Sequence, residues 1–189
     1  MTLSDDPATA ASMDHAHDQA AADWRTALTA YRNLVSKGWD EKTVHWRYAD
    51  QQDRPSTGQC GVTSAWLMAV LGEVHAVPAV YCYGDVWAVR ESSEDLPDHC
   101  WLEVGDADDP DRLIVDLTCG QSSTFGEDEV LHASHSSIRS SHGVSYESVL
   151  RLGPAELDDD EVQDRLGRLV TALGPDHLPV MPERLRRFF

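Results

Sequence analysis

Positive charge is scarce in this chain. Lys37 and Lys42 are the only lysines among 15 basic residues, against 33 acidic ones, and the formal net charge is −18. Such a balance excludes the basic surface that nucleic acids or anionic membranes require of a partner. No apolar run approaches the ~20 residues needed to cross a bilayer. Residues 1–22 lack the basic start and apolar stretch of a secretory signal, so a cytoplasmic location is expected. The cysteines, Cys60, Cys82, Cys100 and Cys119, contain no CxxC pair, which removes a zinc ribbon. In a reducing compartment they are not expected to form disulfides. HExxH, Walker, GxSxG and dinucleotide-glycine patterns are absent. The chain therefore calls for no cofactor and no metal.

What remains is the composition of one globular domain, 189 residues with 41% hydrophobic and 25% charged. Residues 1–22 read as a flexible acidic N-terminal segment, 23–175 as a single domain, and 176–189 as a C-terminal tail. Trp24, Leu28, Tyr31 and Val35 recur at helical spacing before Gly38. Trp46 and Tyr48 are expected to cover an edge. Residues 74–89 read as one or two strands with a turn near Gly84-Asp85, and 91–97 as an acidic loop. Residues 98–104 and 112–118 alternate around the turn cluster Gly105–Asp111, the clearest hairpin in the chain. The Ser/His/Gly-rich stretch 119–145 reads as mostly loop. Glu156–Leu173 reads as a helix, with Val162, Leu166, Leu169, Val170 and Leu173 on one stripe.

The chemistry centres on residues 57–72. Thr57-Gly58-Gln59-Cys60-Gly61 is a small-residue turn, and the segment that follows is apolar apart from Thr63 and Ser64. A helix apolar nearly all round sits at the centre of a domain, and Gly72 is expected to end it. Cys60 thus occupies a helix start, where free N–H groups and the helix dipole favour a thiolate. Centring the hairpin turn between Ala107 and Asp108 puts His99 directly opposite Asp116, with Cβ atoms ~5 Å apart. Alternation places His99, Trp101 and Glu103 on one face with Ile114, Asp116 and Thr118. Cys100 and Cys119 fall on the other face with Leu102, Val104, Leu113, Val115 and Leu117.

A cysteine at a helix start with a histidine beside an aspartate is the nucleophile, base and orienter arrangement. Cys60, His99 and Asp116 are therefore the candidate catalytic residues. The backbone N–H groups of the helix start are the first candidates to hold an oxyanion. Gln59, Gln121 and Trp101 are the candidate side chains for the oxyanion or the substrate. Each residue also has an ordinary role open to it: Cys60 as a small core residue, His99 and Asp116 as structural partners. His132, His135 and His142 are candidates for a metal cluster or for a solvated loop.

The sequence Gly58-Gln59-Cys60-Gly61-Val62-Thr63-Ser64, then His99-Cys100-Trp101, then Val115-Asp116-Leu117-Thr118 with Gln121, resembles the papain-like and transglutaminase-like cysteine superfamily. More narrowly it is similar to the small bacterial YunG-like proteins, over roughly residues 45–173. The resemblance implies an α+β, papain-like fold, with a central Cys-bearing helix packed on an antiparallel sheet. It also implies acyl transfer through a thioester, with Cys60, His99 and Asp116 carried over. In the papain type the oxyanion glutamine lies several residues before the cysteine, unlike the adjacent Gln59. The expected function is a cysteine hydrolase or acyltransferase acting on a small-molecule, peptide-like or carrier-bound acyl substrate. Two other readings stay open. One is a non-catalytic binding or regulatory module that retains the fold; the other is a metal site built from Cys and His.

Overall fold

Helix α1 (residues 23–35) buries Leu28 and Val35 and sets Trp24 and Tyr31 against the core, as its spacing predicts. The computed structural model describes residues 23–51, 53–91 and 93–174. The expected lead-in, 1–22, and tail, 176–189, lie outside the described residues. Helix α2 (Cys60–His75) is buried over its first twelve residues, Cys60 to Leu71. It runs past Gly72 and ends at Ala76, which takes the left-handed conformation (φ 54°), with Val77 N–H bonded to Leu71 O at 2.9 Å. The C-terminal turn is thus made without the glycine that the sequence offers.

Five strands form one antiparallel sheet: β1 (Val80–Ala88), β2 (Ser93–Val104), β3 (Leu113–Asp116), β4 (Leu131–Ser134) and β5 (Val144–Leu152), in the order β4-β3-β2-β1-β5. The protein is therefore α+β. Helices α1, α2 and α4 (Asp160–Leu173) share one core with Tyr81, Cys100, Leu102, Val115 and Leu117. The opposite face carries a second core, in which Trp101, Ile114 and Tyr146 meet Phe125 and, from the short helix α3 (His135–Ser141), Ile138. Asp159 caps α4, its carboxylate accepting from Val162 N–H at 2.9 Å, and the predicted stripe faces inward.

Several expectations fail for identifiable reasons. Gly84-Asp85 makes no turn: β1 runs straight through it, with a register shift after Gly84. The glycine is there for space, because a Cβ would lie 2.1 Å from Glu147 O of β5. The expected acidic loop at 91–97 is mostly the start of β2, whose irregular pairing with β1 absorbs Pro97. Trp46 covers no sheet edge; it is 69% exposed on a short 3-10 turn, against its neighbours His45 and Arg47. The stretch 119–145 holds β4, α3 and a 3-10 turn (Cys119–Gln121), elements too short for periodicity to reveal. Among the described residues no helix is long and apolar enough to cross a membrane.

Two glycines separate crowding from backbone strain. Gly143 has φ +70° and open space, with nothing within 4 Å of the point a Cβ would occupy, whereas Gly84 faces the backbone of β5. Gly84→Ala is expected to cost roughly 3 kcal/mol and Gly143→Ala about 1–2 kcal/mol. Urea unfolding midpoints of the two variants test the order; equal losses would remove the close-approach account of Gly84.

Candidate active site

Asp116 ends β3 and is fully buried. Its carboxylate accepts four hydrogen bonds. Oδ2 receives His99 Nε2 at 2.7 Å and the Tyr146 hydroxyl at 3.0 Å. Oδ1 receives the Thr118 N–H at 2.7 Å and its hydroxyl at 2.9 Å. The β2–β3 ladder pairs Leu102 with Val115 and Val104 with Leu113, so the register is two residues away from the one expected. His99 is thus a diagonal neighbour of Asp116, not its direct partner. A shift of two keeps every side chain on its face, which is why the pair still forms.

His99 is 1% exposed and stacks on Trp101 at 6.3 Å, with an interplanar angle of 16°. Engagement of Nε2 by Asp116 leaves Nδ1 as the ring nitrogen that faces Cys60, with which His99 interacts. Cys60 is the first residue of α2, and Ser64, one turn on, donates to Cys100 O at 3.1 Å. That bond fastens the helix to β2 beside the histidine. The first backbone bond of α2 runs from Thr63 N–H to Gln59 O, and no side chain caps this end. The N–H groups of the first turn are therefore directed past the cysteine without helical partners.

The charges follow from these contacts. Contact with the Cys100 thiol is the largest influence lowering the Cys60 pKa; burial opposes it, and the contact and charge of His99 lower it further, to well below its ordinary value. Burial alone would push His99 down, but the charge and hydrogen bond of Asp116, then Cys60, raise it to about 10. Burial likewise works against the Asp116 carboxylate, and His99 and Thr118 overcome it, so its pKa is lowered. The contact with Cys60, and then burial, push Cys100 up and keep it a thiol; the Tyr81 hydroxyl donates to its sulfur at 3.0 Å. These directions favour a thiolate at Cys60 and an imidazolium at His99, with the Asp116 carboxylate behind the ring. Chemically the arrangement holds an attacking sulfur and a proton for a leaving group.

The remaining expected residues divide. Gln59 does not serve the site: its Nε2 donates to Asp40 O at 3.2 Å, and it lines neither opening onto Cys60. Trp101 is wholly buried beneath His99, with its indole N–H bonded to Glu103 at 3.0 Å, so it touches no substrate. Gln121 lines a cleft that reaches Cys60, and its Nε2 is buried without a partner among the described residues. Cys119 lies in the core with Trp101 and Ile114, not with Leu102, because the chain leaves β3 after Asp116 and alternation stops there. His132 stacks on Trp24, His135 reaches Ser145 and His142 lies against Phe125, so the three histidines are not gathered. Among the described residues no three His, Cys, Asp or Glu side chains are placed to hold a metal.

Sequence reasoning missed Cys100, Tyr146 and Arg165. Cys100 was legible: alternation puts it on the face that α2 covers, beside the start of that helix. Tyr146 and Arg165 carry no local signal, since only the β1–β5 pairing and the docking of α4 bring them near.

Two pH experiments follow. Alkylation of Cys60 is expected to hold a plateau through neutrality and below pH 7. Replacing His99 with Ala should move the rise toward the free-thiol value of about 8.5, and Cys100→Ala should also move the lower edge of the plateau upward. A wild-type rise near 8.5 would contradict the pair.

Stability gives the second. Between about pH 6.5 and 8.5, folded His99/Cys60 holds one proton on the imidazole, and the unfolded pair holds one on the thiol. Their contributions to the pH slope cancel. In Cys60→Ala only His99 remains: its contribution is complete below its unfolded value and is lost as pH rises toward its raised folded value. Wild type should therefore gain on Cys60→Ala by roughly 1.4 kcal/mol per pH unit across that window. A constant difference in urea-derived stability would mean a neutral thiol.

Comparison of the chain with protein-family models, curated proteins and solved structures finds no match, so this site stands on its own geometry.

Proposed function

We propose that this protein is a cysteine-dependent acyl-transfer enzyme with a papain-like arrangement. The observation that carries the reading is His99, buried between the Asp116 carboxylate and Cys60 at the uncapped start of α2. A binding module has no use for a buried Asp116-paired imidazole beside a cysteine of lowered pKa.

In the proposed reaction the Cys60 thiolate attacks the carbonyl carbon of an amide, ester or thioester. The carbonyl oxygen takes the electron pair and is held by N–H groups of the first turn of α2. Gln121 Nε2, unpartnered in the same cleft as Cys60, is the side-chain donor. Collapse of the tetrahedral adduct expels the leaving group, which takes the proton from His99. The product is a thioester on Cys60. Neutral His99 then removes a proton from water or an amine as it attacks the thioester, and the thiolate–imidazolium pair is regenerated. Asp116 holds the imidazole in one orientation throughout and stabilises its charged form. Four free thiols suit a cytoplasmic location.

Intact-protein mass after exposure to small activated acyl esters tests the reading. A single acyl adduct on wild type, turned over with time, is expected. Cys60→Ala should lose both adduct and turnover while keeping its circular dichroism. Gln121→Ala should lower kcat roughly 100-fold with little change in KM. Full turnover by Cys60→Ala would end the proposal.

A further inference from the structure

A buried cation with unpartnered donors lies in the wall of the cavity beside Cys60. Arg165, on α4, has a side chain only 9% exposed, and its Nε and Nη1 have no hydrogen-bond partner among the described residues. Its Nη2 is 3.5 Å from where a Cβ on Gly61 would stand, so the guanidinium rests against the residue next to Cys60. Guanidinium groups are rarely left buried with free donors, because desolvation is recovered only through paired, well-formed hydrogen bonds.

Glu161 pairs its charge, but the acids nearby do not fill its donors. Glu161 Oε1 is 3.6 Å from Arg165 Nε, too far for a hydrogen bond, and Glu161 is half exposed and shared with His45 at 3.4 Å. Asp159 is engaged in capping α4. Across the cavity Arg47 is already paired with Asp98, which also accepts from the Tyr83 hydroxyl. Arg165 thus lines, together with Cys60, a space of about 250 Å³, and brings to its wall buried donors that no protein group fills.

We infer that this cavity takes an acyl substrate bearing a carboxylate, gripped by Arg165 a few atoms from the carbonyl that Cys60 attacks. The inference rests on the acyl-transfer reading above and adds the substrate class. The planar fork of the guanidinium matches a carboxylate. Asp159 and Glu161 at the same wall disfavour the double charge of a phosphate monoester.

Iodoacetate and iodoacetamide test this directly. Both deliver the same carbon with the same leaving group to a thiolate, and they differ only in carboxylate against amide. Rates at Cys60 are read by mass at pH 6.5 on the full chain. Arg165→Gln should slow iodoacetate about 10- to 100-fold and leave iodoacetamide unchanged; Arg165→Lys should fall between. An equal iodoacetate-to-iodoacetamide ratio in wild type and Arg165→Gln overturns the inference.

A second arm does not need a reactive sulfur. Succinate, but not succinamide, should raise the Tm of Cys60→Ala, and the rise should vanish when Arg165→Gln is added. No rise in Cys60→Ala overturns the carboxylate site even where Cys60 alkylates rapidly. A rise alongside a wild-type thiol inert to iodoacetamide instead supports the site and overturns the acyl-transfer reading.

Discussion

Burial of the Asp116 carboxylate is the constraint on which the rest of this structure depends. A charge removed from water must be matched by partners in good geometry, and loss of one partner of such a pair costs about 3–5 kcal/mol. Here the partners come from three directions: His99 from β2, Tyr146 from β5 and Thr118 from the chain just beyond β3. Because the hydroxyl and the N–H of Thr118 both turn back to Oδ1, the chain cannot continue as a strand. It enters the 3-10 turn Cys119–Gln121 instead, which delivers Gln121 to the cleft at Cys60. One carboxylate thereby sets the orientation of the imidazole and the position of the proposed oxyanion donor.

A second buried carboxylate supports the first from below. Glu103, fully buried, accepts from the Trp101 indole and from Arg112, and is paired with Arg151 of β5. Trp101 is fixed between this group, the Tyr146 ring at 5.1 Å and the His99 ring. The indole is therefore a rigid floor on which the imidazole lies flat. A histidine held by one hydrogen bond at Nε2 is free to rock about it; the stacked tryptophan opposes that freedom. Trp101 acts on the site through His99 and not through any substrate.

Much of this was legible in the sequence, and the misses have physical causes. The alternation of 98–104 and 112–118 identified the hairpin and the shared face of His99 and Asp116, because side-chain period in a strand is 2 and survives an even error in register. The turn itself could not fix the register: Gly105–Asp111 is all turn-forming residues, and its true centre lies one residue later than assumed. Cys119 was misplaced because alternation was extended past the point where Asp116 and Thr118 bend the chain. Gly84 was misread because a glycine that makes room for a neighbouring strand looks, in one dimension, like a glycine that makes a turn. Pairing of β1 with β5 joins residues about 60 positions apart, and no local pattern encodes it.

The helix that carries Cys60 explains why the two polar groups that matter most come from elsewhere. Its first twelve residues are packed on every side, so α2 offers the site little besides its uncapped end. The adjacent Gln59 cannot supplement that end, because the turn preceding the helix directs its amide to Asp40 and so anchors the loop to α2. Polar groups must then enter from the two openings that flank the sulfur, and each opening brings one unpartnered donor group: Gln121 in one, Arg165 in the other. In the proposed reaction the carbonyl oxygen belongs with Gln121 and the far end of the acyl group with Arg165, which leaves the leaving group on the side of His99.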